Sequence, residues 1–283
     1  MSESGRVHAS RRLAHATARR EVGPLLREWR QRRALSQMAL ALDVGVSPRH
    51  LSFVETGRAR PSAELLLSMS EHLAVPLRQR NDLLLAAGYA PRYTETDWQA
   101  PDMGAVRRAL QRLLDAHDPY PGLALARCCN VVLANAAARR LMALLPPELT
   151  EPCLNMYRAS LHPRGFAAFT RNFGDWARHL LNELAWLCAS SGDPALSALA
   201  EEVAAYPNVA ALLAEGTAPA RDEHALLLSC VLSLGGQQLS LFTTRAAIGA
   251  PYDVTLAELT VELFYPADEG TERALRGWAS GDS

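Results

Sequence analysis

Residues 35–61, LSQMALALDVGVSPRHLSFVETGRARP, determine the predicted fold of the first third of the chain. Ser36 can cap a helix, because its side-chain oxygen would accept a hydrogen bond from an otherwise unpaired backbone N–H. Gly45 stands where a short turn between helices needs a left-handed backbone. Ser47 followed by Pro48 is a strong helix-start signal. The stretch therefore predicts two helices joined by a tight turn.

Each of these predicted helices has apolar positions that can pack on a core. In the second helix, Leu51 and Val54 fall on one face, and Gly57 ends the helix. In the first helix, the apolar positions are Met38, Leu40 and Leu42. Two helices arranged in this way form a helix-turn-helix, the unit that places its second helix in the major groove of DNA.

The run VSPRHLSFVETGRARPS resembles the phage-repressor-like helix-turn-helix family, also called the XRE or Cro/C1 type. The resemblance covers residues 22–93. It implies that Gln37 opens the second helix of the domain and hydrogen-bonds a phosphate, and that Arg49 contacts guanine O6 and N7. Glu55 is then a structural residue that braces the following turn. The expected DNA-contacting residues are Gln37, Ser47, Pro48, Arg49, His50, Phe53, Arg58 and Arg60.

Some of these residues have other interpretations. Phe53 departs from the polar residue usual at its position, and we expect it to pack on a thymine methyl group. A histidine at the position of His50 is more often a packing or phosphate-contacting residue than a base reader. A small helical domain of this type can also serve only as a protein-interaction module. The dependence of binding on salt concentration distinguishes the two functions. DNA binding through several phosphates weakens steeply as salt rises, whereas binding through an apolar protein interface does not.

The distribution of charge favours DNA binding by the first third of the chain. The whole chain has a formal net charge of -1, but residues 1–92 hold 15 Arg against 8 acidic residues, and the remainder holds 14 Arg against 22. A basic head on an acidic body is typical of a protein in which one part meets phosphates and the other does not.

The first twenty residues are rich in arginine and poor in large apolar groups. They predict a basic N-terminal arm along the DNA backbone or in the minor groove, or alternatively a frayed terminus. No apolar run suited to a signal peptide follows them, and no window reaches the ~18 apolar residues of a membrane span. We therefore expect no membrane partner and a cytoplasmic protein. The arginines of the arm are Arg6, Arg11, Arg12, Arg19 and Arg20.

Neither a metal site nor a catalytic site is indicated. The five cysteines form no CxxC and no metal-finger spacing, and the histidines form no HExxH pair. No GxSxG, glycine-rich phosphate loop or paired-acid motif is present, although a thiol nucleophile remains an alternative because cysteine and histidine share the second domain. We expect no cofactor and no enzymatic activity.

The second part of the chain has a mixed pattern. Alternating apolar residues in LALARCCNVVLAN, 123–135, predict a two-strand hairpin. Helical segments follow as far as residue 213, and residues 225–246 predict a hairpin around a Gly-Gly turn. Residues 254–265 add a strand or two. This order predicts an antiparallel sheet with helices on one face, a PAS-like α+β arrangement.

This part resembles the MmyB-like ligand-binding domain. The resemblance covers most of residues 113–270 and rests on NVVLANAAARRLM, Asn155 with Met156-Tyr157-Arg158, His162-Pro163-Arg164-Gly165, and Trp176. It implies a PAS-like sheet around an apolar cavity for a small hydrophobic, fatty-acid-like ligand. The family commonly has an aromatic residue where this chain has Cys129 or Leu133.

The expected ligand-binding residues are the polar and aromatic groups of this region. Asn155 and Arg158 would lie near a helix start, where they can hold a carboxylate head group. In the alternative, Asn155 caps a helix and Arg158 pairs with an acid at the surface. The full set is Asn135, Asn155, Arg158, His162 and Trp176.

The sequence thus predicts an all-α N-terminal helix-turn-helix domain of five helices joined to an α+β PAS-like C-terminal domain. The expected function is that of a dimeric, ligand-controlled transcriptional regulator that binds a double-stranded DNA operator. The predicted divisions are a basic arm (1–20), the helix-turn-helix domain (21–93), a linker and connecting helix (94–116), the PAS-like domain (117–270) and a C-terminal tail (271–283).

Overall fold

The computed structural model describes residues 21–216 and 227–280. The predicted basic arm, residues 1–20, lies outside them. The chain divides into two compact units, Met1–Thr94 and Glu95–Ser283. The predicted helix-turn-helix belongs to the first unit and the predicted sheet belongs to the second.

The described part of the first unit contains five helices, as the sequence predicts. They are α1 (Val22–Arg32), α2 (Gln37–Asp43), α3 (Pro48–Glu55), α4 (Ala63–His72) and α5 (Leu77–Ala86).

Local side chains set the helix starts in this unit. The Ser36 hydroxyl accepts a hydrogen bond from the Ala39 N–H at 3.0 Å, and the Ser47 hydroxyl accepts one from the His50 N–H at 3.1 Å. Between α2 and α3, Gly45 has φ +72°, the left-handed backbone that the turn requires. The predicted helix-turn-helix geometry is therefore confirmed.

The predicted apolar face of α2 is wrong at two of its three positions. Leu40 is fully buried, whereas Met38 and Leu42 are 70% and 80% exposed. Positions 38, 40 and 42 repeat every second residue, and a helix with 3.6 residues per turn cannot turn all three to one side. Leu40 packs in the core beside Ala41, while Met38 and Leu42 form an exposed pair.

The described part of the second unit is α+β. It begins with a short 3-10 turn (Pro101–Met103) and α6 (Gly104–Asp115), and the first hairpin follows as β1 (Gly122–Ala126) and β2 (Asn130–Ala134). Six helices come next: α7 (Ala136–Met142), α8 (Pro147–Thr150), α9 (Met156–Leu161), α10 (Phe173–Ser191), α11 (Pro194–Ala204) and α12 (Pro207–Ala214). The last elements are β3 (Cys230–Leu234), β4 (Gln237–Ala247), α13 (Val254–Ala257), β5 (Thr260–Pro266) and α14 (Glu269–Ser280).

The five strands form one antiparallel sheet in the order β2-β1-β5-β4-β3. Its inner face, with Leu123 and Leu241, packs on helices α9 to α12 in the main core. Its outer face, with Ala124 and Val261, packs on Leu114 of α6. The connecting helix therefore caps the sheet, and the expectation of helices on one face only is corrected. The PAS-like α+β arrangement itself is as predicted.

Two further segments differ from the prediction. Residues 271–283 were expected to be a tail, but α14 (Glu269–Ser280) is a helix that packs in the main core through Leu275. Residues 254–265 contain the short helix α13 before β5, because the Asp253 side chain accepts a hydrogen bond from the Leu256 N–H and caps it. Of the predicted second hairpin, residues 225 and 226 lie outside the described ranges.

Helix α1 approaches α3 closely at Gly23. A Cβ at this position would lie 2.6 Å from the carbonyl oxygens of both Val54 and Glu55. Such distances are well inside van der Waals contact, and both neighbours are backbone atoms that cannot rotate away. The absence of a side chain at Gly23 therefore sets the packing of the first unit.

We predict that Gly23→Ala destabilises the first unit by roughly 1–3 kcal/mol, because the added methyl group forces α1 away from α3. Urea unfolding followed by circular dichroism measures this loss. Gly104→Ala is the matched control, since its Cβ would meet only the flexible ends of two arginine side chains, Arg108 at 3.3 Å and Arg107 at 4.0 Å. A Gly23→Ala chain as stable as the control variant would contradict the close packing.

Candidate DNA interface and ligand cavity

A buried ion pair fixes the helices around the predicted DNA-contacting surface. The Arg30 guanidinium of α1 donates two hydrogen bonds to the Glu55 carboxylate of α3, at 2.7 and 2.9 Å. Gln37 of α2 donates a third, from Nε2 to Oε2 at 2.8 Å. Glu55 is therefore structural, as predicted, but it braces α1 and α2 rather than the turn that follows it.

The ionisation of Glu55 reflects these partners. Burial acts to raise the pKa of the Glu55 carboxyl group, but the hydrogen bonds from Arg30 and Gln37 together outweigh it, so the pKa lies below its usual value. Gln37 opens α2 as predicted, and its amide is oriented by Glu55. Its contact with a DNA phosphate stays a prediction.

The start of α3 is exposed and carries the predicted base-reading residue. Ser47, Pro48 and Arg49 are exposed, while His50 and Phe53 are half-buried. The Arg49 guanidinium carbon lies 5.3 Å from the centre of the Phe53 ring, one helical turn along α3. This cation–π contact orients Arg49. The i, i+4 spacing of the two residues is the sequence signal that could have revealed it.

The two arginines after α3 are also exposed. Arg60 lies over the Tyr89 ring at 4.7 Å, and the Tyr89 hydroxyl donates a hydrogen bond to the Pro61 carbonyl at 3.0 Å. The backbone N–H of Arg58 donates to the Phe53 carbonyl at 2.8 Å. The turn after α3 is thus held in place, and both side chains reach the surface.

An apolar cavity of about 80 Å³ lies on the inner face of the sheet in the second unit. It is lined mainly by aliphatic and aromatic side chains of the sheet, α7, α9 and α10. Of the predicted ligand-binding residues, Trp176 lies in its wall. The wall includes Leu123, Ala138, Met156, Trp176, Leu180 and Phe264.

The four polar residues predicted to bind ligand lie outside the wall of this cavity. Asn135 is fully buried and caps α7: its side chain donates to the carbonyls of Leu114 and Tyr120 and accepts from the N–H groups of Gly122 and Ala138. Its hydrogen-bonding capacity is filled, so its role is structural.

Asn155 and Arg158 take the structural roles that the sequence left as the alternative. The Asn155 side chain accepts hydrogen bonds at the start of α9 and donates to the Cys128 carbonyl at 2.7 Å. Arg158 pairs with Glu202 at 2.7 Å, and His162 packs edge-on against Tyr206. Asn155 and Arg158 border a separate, polar depression, so these residues and Trp176 do not share one cavity.

The one carboxyl group in the cavity wall was not predicted from the sequence. Glu262 of β5 has a side chain that is only 4% exposed, and it faces Arg245 of β4 across the sheet. Burial raises the pKa of the Glu262 carboxyl group. The signal available in the sequence was an acidic residue inside the otherwise apolar strand TVELFYP.

Other kinds of site receive no support from the described residues. No group of three or more His, Cys, Asp or Glu side chains in residues 21–216 and 227–280 is placed to hold a metal ion. No helix within these ranges is both long and apolar enough to cross a membrane.

We predict that the stability of the first unit depends on pH through Glu55. Because the pKa is lowered on folding, the ionised carboxylate stabilises the unit above its unfolded pKa of about 4.3, and this contribution is lost as the pH falls through the folded pKa. Glu55→Gln should lower the free energy of unfolding by roughly 3–5 kcal/mol at pH 7, because it leaves the Arg30 guanidinium buried without its charged partner.

Hydrogen exchange of the α3 amides, compared between wild type and variant at each pH, measures this effect. The difference should shrink as the pH falls below about 4. Glu64→Gln, at an exposed position of α4, is the control and should change exchange little. A difference that is constant with pH would show that the ionisation of Glu55 does not stabilise the unit.

Comparisons with known proteins agree with the two units. A helix-turn-helix domain model matches residues 21–83, and the model of the MmyB-like transcription regulator ligand binding domain matches residues 106–277. No curated protein matches the chain. Among solved structures, the PAS domain from Bordetella pertussis BvgS is similar to 63% of this chain, over 99% of its own length, at 16% identity and a TM-score of 0.27. The match to the ligand-binding domain model covers more than half of this chain. The chain therefore belongs to the family of MmyB-like transcription regulators, and it joins that ligand-binding domain to a helix-turn-helix.

Proposed function

We propose that this protein binds a specific double-stranded DNA operator as a homodimer and that a small hydrophobic molecule in its second unit controls the binding. The observation that carries the proposal is the exposed start of α3, where Arg49 is held over the Phe53 ring. It works in the cytoplasm, where it reaches DNA. Membership of this family itself indicates a ligand-controlled transcription regulator.

The DNA side of the proposal rests on exposure and charge. With α3 in the major groove, Arg49 contacts guanine through its two parallel N–H groups, while Gln37, Arg58 and Arg60 contact phosphates. Ser47, Pro48 and His50 lie at the same end of α3 and complete the surface. One five-helix head offers a small interface, so two heads on a near-palindromic site are needed for tight and specific binding.

The ligand side rests on the apolar cavity. Its volume of about 80 Å³ is well below the roughly 300–1,000 Å³ of pockets that hold drug-sized ligands. A molecule with a fatty-acid-like hydrocarbon chain therefore enters only if wall side chains move outward. Such a ligand favours an expanded state of the unit, and it changes DNA binding to the extent that DNA favours one of the two states.

We propose no catalytic role for Cys129 and Cys230. Burial raises the pKa of both Cys129 and Cys230 to about 12. A thiol with such a pKa stays protonated at neutral pH, and only the thiolate is a strong nucleophile. None of the five cysteines, all within the described residues, forms a disulfide, which suits a reducing compartment.

One observation favours a second candidate function, that of a protein-interaction module. Met38 and Leu42 form an exposed apolar pair one turn apart on α2, on the surface of the same unit. An apolar partner could dock there. Binding through such a contact would be nearly insensitive to salt, whereas DNA binding would weaken steeply as salt rises.

We predict that Arg49→Ala weakens binding to the cognate operator by ~1–3 kcal/mol, because a bidentate base contact is lost. Fluorescence anisotropy with the operator and with a scrambled duplex measures the specific part. Arg92→Ala removes the same charge from an exposed position after α5 and should reduce binding far less. Equal losses in the two variants would mean that Arg49 is not a base reader.

We predict that Ala138→Leu abolishes binding of a small apolar probe, because the larger side chain fills the cavity. The probe is 1-hexanol, and its binding is measured as a rise in the thermal unfolding midpoint of the full chain. Ala211→Leu, at an exposed position of α12, is the control and should keep the rise. If Ala138→Leu responds to 1-hexanol as wild type does, the probe binds elsewhere.

A further inference from the structure

The inner face of the sheet carries a charged pair at one side of the cavity. Arg245 of β4 and Glu262 of β5 are directly opposite each other in the strand register. Glu262 shares the inner face with Phe264, and both line the cavity, whereas Val261 and Leu263 face the outer cluster around Leu114. A carboxyl group on the core face of a central strand calls for an explanation, because it is costly to bury.

The partners of Arg245 explain only part of this arrangement. Its guanidinium forms a close ion pair with Glu183 of α10, at 2.8 Å, whereas its contact with Glu262 is 3.5 Å. The Arg245 side chain is 27% exposed, so this pair lies toward solvent and Glu262 lies toward the cavity.

Glu262 is therefore poorly compensated. An ionised carboxylate can accept about four hydrogen bonds. The long contact with Arg245 is the one hydrogen bond that residues in the described ranges give to the Glu262 side chain. Most of the hydrogen-bonding capacity of this buried group remains for a molecule in the cavity.

A second buried polar group belongs to α9, whose residues Met156 and Ala159 line the cavity. Tyr157 of α9 is fully buried, and within residues 21–216 and 227–280 no group forms a hydrogen bond with its hydroxyl. Burial raises the pKa of Tyr157, and the nearby Cys129, Glu183 and Glu262 raise it further. Tyr157 itself is not in the cavity wall, but it directly follows the wall residue Met156.

We propose that the Glu262 carboxylate is the head-group site of the cavity, with Arg245 and Tyr157 behind the cavity wall, and that this site takes an alkyl ammonium, an apolar chain with a primary amine head. The inference rests on the proposed role of the cavity in ligand binding. A primary ammonium has three N–H donors, which suit the Glu262 carboxylate and the Tyr157 oxygen as acceptors.

Charge favours an ammonium over the carboxylate of a fatty acid. Arg245 and Glu183 already form a close pair, so ionisation of Glu262 beside an ammonium gives the three groups a combined formal charge of -1. An ammonium head brings this charge to zero, whereas a carboxylate head doubles it in a poorly hydrated site, where like charges repel strongly. The hydrocarbon chain of the fatty-acid-like ligand expected from the family fits the apolar wall of the cavity. The carboxylate head group of such a ligand does not fit beside Glu262.

Three probes with the same six-carbon chain test the head group: 1-hexylamine, 1-hexanol and hexanoic acid. Isothermal titration calorimetry with the full chain at pH 7 should give affinities in that order, with 1-hexylamine roughly tenfold or more tighter than hexanoic acid, since hydrogen bonds to charged groups are worth about 1.5–3 kcal/mol. Hexanoic acid binding as tightly as 1-hexylamine, or tighter, would overturn the inference and leave the cavity proposal standing.

The Glu262→Gln variant distinguishes binding of the amine head group from binding of the six-carbon chain of the probe. It should weaken 1-hexylamine roughly tenfold and leave 1-hexanol within about twofold, because only the charged contact is lost. Glu201→Gln, at an exposed position of α11, is the control and should change neither affinity. An unchanged 1-hexylamine affinity in Glu262→Gln would refute the assignment.

Tyr157→Phe gives an independent test if Glu262→Gln does not fold. It removes the unpartnered hydroxyl but keeps the ring in the core, and it should weaken 1-hexylamine about threefold or more. An unchanged affinity would remove Tyr157 from the site. If wild type binds none of the three probes, the cavity proposal fails, and the head-group assignment fails with it.

Discussion

The bidentate pair between Arg30 and Glu55 is the interaction on which the first unit depends. Two charges withdrawn from water are stable only with well-aligned partners, so the geometry of the pair restricts where its helices can lie. Gln37 joins the same carboxylate, and Gly23 lets α1 approach α3 without a side chain between them. The exposed start of α3 is consequently presented by a rigid scaffold, which is what a surface that reads base edges requires.

In the second unit, two features of the cavity lower the stability of the fold. An apolar cavity of about 80 Å³ deprives its wall of packing contacts, which costs stability. The poorly compensated Glu262 carboxyl group beside it adds to that cost. A unit selected only for stability would fill the space and replace the acid. Both features together are typical of a site kept open for a ligand.

The sequence predicted the features that depend on local chemistry. Ser36, Ser47 and Gly45 act within a few residues of themselves, so their roles in capping and turning followed directly from position. The order of strands and helices along the chain and the hairpins followed from the sequence pattern, and the family followed from the resemblance of its motifs. The burial of Glu262 and the partners of Glu55 could not be predicted, because each depends on side chains far away in the chain. The prediction that Met38 packs on the core was wrong for a different reason. Apolar residues spaced every second position cannot all lie on one face of a helix.

The stacking of Arg49 on Phe53 has a consequence for how binding specificity changes in evolution. A free arginine side chain carries about 2 kcal/mol of rotamer entropy, part of which is already lost when its guanidinium rests on a ring. For the proposed role of Arg49 as a base reader, this contact implies that position 53 affects base preference by setting the plane of the Arg49 guanidinium. Substitutions at residues 49 and 53 are therefore expected to occur together in relatives that recognise other operators.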